Sequence, residues 1–386
     1  MKKILVASLD FFDFTNQSDI SNFLSYTKEL GVEILFYSRD NERLKKYFHL
    51  KETFNNISFN TRNYAKELIK TKNNSEFIVI GSKNVDFQLA VNHKILLITP
   101  QWYRSIEDKA TKYGIPVSTI SQLSCFVDTV CNQNYWYSSI QLDPQTYMFS
   151  LSDARSKYCS KSKEEKEIIE IFHNILKEGK VSYYEIYFYH FLSSMSNNSE
   201  LFNDIDIWGI FPSSSGDLST NEMFNFKERV RYFMNGRVPY TNADFKKYPN
   251  ILIRHTATSK SHFDNFQTRI NYGATKHLNT ICLNPAYKNK LSGKNVCIFD
   301  DYLTHGNSFE CARNLLKAAG VNKIIFVTLG TFKMNYQLQN YNLIGDIFSS
   351  NYNYKLLNRN IVNSNSFLIN DIAKNEVENL HYIFNL

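Results

Sequence analysis

The amino-acid sequence predicts an α/β protein built from two parallel-sheet domains. Three observations lead there. The chain has 386 residues, more than one hydrophobic core ordinarily serves, and 43% of them are hydrophobic. Over residues 1–135, short apolar runs alternate with amphipathic stretches at the spacing of strands covered by helices. A further strand–loop–helix unit stands at Asn295–Gly320, NVCIFDDYLTHGNSFECARNLLKAAG. The expected organisation is a first domain over 1–135, a second over 136–335 and a C-terminal extension over 336–386 to which no motif assigns a role.

The first domain reads in order. Lys3–Ser8 is a buried strand, and Gln17–Leu30 an amphipathic helix stopped by Gly31. Val32–Tyr37 is the next strand and Asn41–Phe48 a helix. Glu76–Ile80 follows as a strand, Val85–Val91 as a helix and Lys94–Ile98 as a strand. In the second domain, Lys161–Glu178 predicts a charged amphipathic helix capped by Ser162 and stopped by Gly179, and Val181–Leu192 a more apolar one. Ile205–Phe211 and Val296–Phe299 read as buried strands, Ser308–Ala319 as a helix and Ile324–Leu329 as the next sheet strand.

Several first-domain strand ends carry chemistry. ILVASLDFF is similar to the first motif of haloacid-dehalogenase-like (HAD-like) phosphohydrolases, an apolar strand followed by Asp-x-Asp. Ser38 falls where that family has a phosphate-binding hydroxyl. IVIGSKNVDFQLAVNHKILLI resembles its closing acidic motif, and KYGIPVSTISQL (Lys112–Leu123) resembles the segment that ends such domains. The departures are chemical. Ser8 stands at the nucleophile position and Ser82 at one carboxylate position, so Asp10 and Asp86 are left as a vestigial metal site. The resemblance therefore implies a degenerate HAD-like Rossmannoid domain without phosphatase activity, which leaves it as a binding or docking module for a protein partner. A generic α/β domain of another family is the other reading.

In the second domain, Asp300 and Asp301 close an apolar strand, and Thr304, His305, Gly306, Asn307 and Ser308 lead into a helix. Gly306 lets backbone N–H groups approach an anion, and a helix N-terminus favours negative charge. Pro212-Ser213-Ser214-Ser215-Gly216-Asp217 follows the strand ending at Phe211, with Lys227, Arg229, Arg231 and Arg237 beyond it. The Asp300–Ser308 pattern resembles the phosphoribosyl pyrophosphate (PRPP) signature of type I phosphoribosyltransferases. It departs at His305, where the family usually has Thr. Ile251–Asn271 is similar to the ComF-like branch of that family at Leu252, Arg254, Thr258 and Arg269; the branch's Gln position is Ser261, and Asn271 comes one residue early.

The resemblance implies roles residue by residue. Asp300 and Asp301 would be the catalytic pair at the ribose hydroxyls. Thr304–Ser308 would hold the 5′-phosphate. Ser213, Ser214 and Ser215 would grip pyrophosphate with Arg254 and Arg269, although either arginine also suits a structural ion pair. The histidines His255 and His262 read as surface or core-edge residues. The implied cofactor is Mg²⁺, bridging pyrophosphate and ribose hydroxyls.

Bulk properties bound the function. The formal charge of +7 is a mild excess that suits an anionic substrate, and no dense basic-aromatic block of a nucleic-acid face is present. The six cysteines form no CxxC pair or metal-spaced cluster, which fits a reducing, cytoplasmic setting. The N-terminal apolar run is broken by Asp10, so no signal peptide is expected, nor any membrane span. The sequence thus predicts a protein that binds PRPP with Mg²⁺ and transfers to, or cleaves at, the ribose anomeric carbon, with a nucleobase or small amine as acceptor. Two alternatives stand beside it: a non-catalytic sensor of PRPP or a nucleotide, and a nucleotide-modifying effector of a toxin or antiviral system.

Overall fold

The computed structural model describes residues 3–132, 135–155, 182–218, 222–235, 250–258 and 271–385. The expected helix at Lys161–Glu178, with its cap and stop, lies outside the described residues. So do Arg237, Ser261, His262 and Arg269.

The first sheet contains β1 (Ile4–Ser8), β2 (Glu33–Ser38), β3 (Ile57–Thr61), β4 (Phe77–Ile80), β5 (Leu96–Pro100) and β6 (Ile115–Val117). All pairings are parallel, in the order β3-β2-β1-β4-β5-β6. β1 is buried at every position, as a strand covered on both faces must be. Helix Gln17–Glu29 begins where the Asn16 side chain accepts from the Asp19 N–H at 2.9 Å, and the chain turns out of it through Gly31 at φ 69°. β3 and the helix Arg62–Thr71 behind it are not among the elements that the sequence predicts. The strand order reverses between β1 and β4, which opens a crevice at their carboxyl ends.

Downstream strands are β7 (Ser138–Asp143), β8 (Thr146–Asp153), β9 (Ile207–Ile210), β10 (Leu252–Arg254), β11 (Ile281–Leu283), β12 (Asn295–Leu303), β13 (Lys323–Thr331), β14 (Tyr336–Gly345), β15 (Tyr352–Val362) and β16 (Leu368–Ile369). The second sheet runs β16-β7-β8-β13-β12-β9. Its four-strand centre, β8-β13-β12-β9, is parallel, and β7 and β16 add antiparallel pairings at one edge. The sheet is therefore mixed, with a parallel core. β10 pairs with β11, and β14 with β15, as separate antiparallel ribbons.

Residues 336–385 fold back onto the rest. β14 lies along helix Asn307–Ala318, and β16 joins the sheet edge through β7. Helix Ile372–Asn385 packs between helices Ile120–Asn132 and Ser182–Asn197. There Phe384 meets Phe126 at 6.0 Å and Tyr189 at 4.8 Å between ring centroids, and Gln122 donates to the Ile383 carbonyl at 2.8 Å. One apolar core, including Leu5, Phe126, Phe191, Phe299 and Leu380, runs from the first sheet to the second. Among the described residues, no helix is long and apolar enough to cross a membrane.

Candidate functional site

Two adjacent strands of the second sheet send their following helices to opposite faces. Helix Glu222–Asn235, after β9, packs through Phe226, Val230 and Phe233 into the core shared with Phe299. Helix Asn307–Ala318, after β12, packs through Phe309, Ala312 and Leu315 with Ile298 and Phe326 on the other side. The crevice at the carboxyl ends of β9 and β12 is thus a topological switch point, where open α/β sheets bind ligands. The Pro212–Asp217 loop forms one lip, and Asp300 to Ser308 the other.

β12 continues past Phe299. Asp300 pairs with Thr328 and Leu303 with Thr331 of β13, so both aspartates lie within the strand and the loop shrinks to Thr304–Gly306. Both carboxyls are partly buried and bond to each other, and the Ser308 side chain bonds to Asp300. Desolvation, then the neighbouring Asp301 charge, pushes Asp300 well above the usual carboxylate range. Desolvation also raises Asp301, against a hydrogen bond that its Oδ1 accepts from the Tyr302 N–H at 2.6 Å. This pair of like groups favours a shared proton, hydroxyl donors or a cation.

Gly306 starts the helix at φ 80°, a conformation that favours glycine. Thr304 is half-buried. His305 is buried; its Nδ1 lies 3.2 Å from the Asn335 carbonyl, and its own carbonyl accepts from the Gln337 N–H at 3.0 Å. At this departure from the expected pattern, the side chain therefore ties the loop to β14. Asn307 accepts from Gln339 at 3.1 Å.

On the opposite lip, Ser213 and Ser215 hydroxyls lie 3.1 Å apart, the Ser214 carbonyl accepts from the Thr258 N–H, and Gly216 turns at φ 77°. Arg254, buried on β10, donates to the carbonyls of Ser213 at 2.6 Å and Pro212 at 3.2 Å and to the Thr280 hydroxyl at 2.6 Å. Burial lowers its pKa, and the Asp300 charge opposes that shift. Arg254 thus clamps the serine loop and sets a positive charge near Asp300. The resemblance implies pyrophosphate for the same guanidinium, a role in which its donors would face outward, and a structural ion pair is the other role the sequence allows. Lys227 and Arg231 pair with Glu228, and Arg229 stacks on Phe188.

Beneath the loop lies a polar network that local motifs did not reveal. Glu310 and Arg313, both buried, form a forked pair with bonds of 2.6–3.1 Å. Tyr336 and the Gln339 N–H also donate to Glu310, at 2.6 and 2.7 Å, and Arg313 donates to the Gln339 carbonyl at 2.7 Å.

The first-domain crevice collects Ser8, Asp10, Ser38, Ser82 and Asp86 at the ends of β1, β2 and β4. Asp10 is buried, with Arg43 Nη2 3.1 Å from Oδ1 and Lys83 Nζ 2.7 Å from Oδ2. Neither cation was singled out from the sequence, since Arg43 lies on a separate helix, Asn41–Lys45.

No protein-family model matches the chain, and no curated protein matches it. Among solved structures, the chain is similar to a protein from Lactobacillus delbrueckii subsp. bulgaricus provisionally assigned as a phosphoglycolate phosphatase. Identity is 18% and the TM-score 0.25, over 30% of this chain and 54% of that one. The chain thus spans about half the length of that structure.

Proposed function

We propose that the crevice between β9 and β12 binds a phosphorylated ribose of the PRPP type and that the protein acts at its anomeric carbon. The supporting observation is the pairing, at a switch point, of two adjacent, mutually bonded carboxyls with a helix start opened by a left-handed glycine. The N–H groups at the start of helix Asn307–Ala318 would hold the 5′-phosphate, and that remote binding energy would orient the sugar. Asp300 and Asp301 would accept from the ribose hydroxyls and stabilise positive charge developing on the ring. The serine loop, held by Arg254, would face the pyrophosphate.

Two neighbouring carboxylates fit Mg²⁺ in the way that ion is commonly held, by one or two protein carboxylates with substrate oxygens and water completing the shell. When bound it would offset leaving-group charge. Pyrophosphate release from PRPP, followed across candidate acceptors, tests the proposal; no release with any acceptor, despite binding, would remove transfer from it.

A second reading, ligand sensing without turnover, is favoured by Arg254 directing its donors at Pro212, Ser213 and Thr280. We further read the first domain as a HAD-like scaffold without phosphoryl transfer, because Ser8 lacks an activating base among its described contacts and cannot serve as the acceptor carboxylate.

A further inference from the structure

We infer that the first-domain crevice carries its own counter-ions in the place of a divalent cation: Arg43 and Lys83 lock Asp10, and the domain takes up no Mg²⁺. With these two cations in place, the donor set does not fit the metal that the HAD-like resemblance implies, whereas their removal would free Asp10 and Asp13. Mg²⁺ needs hard oxygens with free lone pairs. Ser8 and Ser82 offer neutral hydroxyls, both buried and without a hydrogen-bond partner among the described residues. Among the described residues, the carboxylates at hand are Asp10, Asp86 and Asp13; Asp86 accepts hydrogen bonds at both oxygens, and Asp10 has a cation against each.

Asp86 is buried, accepting from the Tyr37 hydroxyl at Oδ1 (2.5 Å) and from the Ser82 and Lys83 N–H groups at Oδ2 (3.1 and 3.0 Å). Gly81 makes room for this arrangement, since a Cβ there would lie 2.4 Å from Asp86 Oδ2. Asp86 is therefore turned back onto its own loop. Asp10 faces the Arg43 guanidinium on one oxygen and the Lys83 ammonium on the other. Arg43 also pairs with Asp13, so the nearby carboxylate is spent on the same cation. A divalent ion entering here would have to displace two positive charges that lie within 3.1 Å of a buried aspartate.

The cations are more exposed than the group they hold: the Asp10 side chain is 5% exposed, against 29% for Arg43 and 45% for Lys83. The lock closes from the solvent side, and substitution of the two cations leaves the β-sheet core untouched.

The test uses the full chain carrying Asp300→Asn/Asp301→Asn, so that the second domain contributes no carboxylate pair, with Mn²⁺ as the probe, read by electron paramagnetic resonance. This parent is expected to take up no stoichiometric Mn²⁺ up to about 1 mM, the weak end of protein divalent-cation affinities. Adding Arg43→Ala/Lys83→Ala is expected to create one equivalent of bound Mn²⁺, and adding Asp10→Asn to that variant to remove it. Arg43→Gln/Lys83→Met, which keeps side-chain bulk, serves if the alanine variant does not fold. Uptake by the parent that Asp10→Asn alone abolishes would overturn the inference. So would a folded, unlocked variant that gains no site.

Discussion

The ring of Tyr336 lies against Gly306, so close that a Cβ on the glycine would fall 1.9 Å from Tyr336 Cε2. The same tyrosine reaches under the loop to donate to Glu310 at 2.6 Å. The turn that starts helix Asn307–Ala318 is thereby held from below by β14, and its shape depends on residues that follow the Asp300–Ser308 segment in sequence. Gly306→Ala adds both a left-handed strain and a clash with a buried ring. A loss of about 2–4 kcal/mol in urea unfolding is expected, with ligand binding lost in parallel.

Glu310 and Arg313 are buried together, and the other donors around Glu310 complete its shell. Burial raises the Glu310 pKa, while Arg313 opposes the rise. Removing one partner leaves the other charge stranded. Arg313→Met should cost about 3–5 kcal/mol by chemical denaturation. Replacing both residues by apolar ones of similar size should cost less than this single change, a non-additivity that a double-mutant cycle measures directly.

The pH dependence of stability follows from the raised carboxyls Asp300, Asp301, Asp86 and Glu310. Between the ordinary carboxylate range and the raised folded values, the folded protein holds protons that the unfolded chain has released. These groups' contribution is therefore fully present below about pH 4 and declines as pH rises through the folded values. Asp300→Asn should flatten that decline. Its melting temperature at pH 8 should exceed the parent's by about 2 °C, while ligand binding is lost, as expected where a site is destabilised for function. Melting curves across pH check the sign.

Arg254 holds the serine loop through two carbonyls. Arg254→Met should loosen the loop and weaken PRPP binding by roughly tenfold, equivalent to about 1.4 kcal/mol. Titration calorimetry on the variant gives the ratio.

Much of the first sheet was legible because β1, β2, β4 and β5 are continuous apolar runs. β3 was not: in ISFNT, only Ile57 and Phe59 are buried, and the strand sits at the sheet edge. In the second domain, the Asp pair read as the end of a strand, yet backbone pairing with β13 carries β12 on to Leu303. Side-chain polarity marks where burial ends, whereas a ladder ends only where its partner does.

The candidate site divides in the same way. Asp300, Asp301, Gly306 and Ser308 lie close in sequence and form a recognisable pattern. Arg254's clamp on Ser213, Arg43's hold on Asp10 and β14's support of Gly306 join distant segments, so no local spacing announces them. Glu310 and Arg313 have the spacing of an ordinary exposed helix pair, and only the packing of β14 against that helix makes them a buried one.

The most direct test of the central claim is calorimetric titration of PRPP, with Mg²⁺ present, into wild-type protein and into the Asp300→Asn/Asp301→Asn variant. Saturable binding to the wild type that disappears in a folded double variant is the predicted result. A folded wild type that takes up no PRPP, or a double variant that binds it equally well, would contradict the sugar-phosphate site.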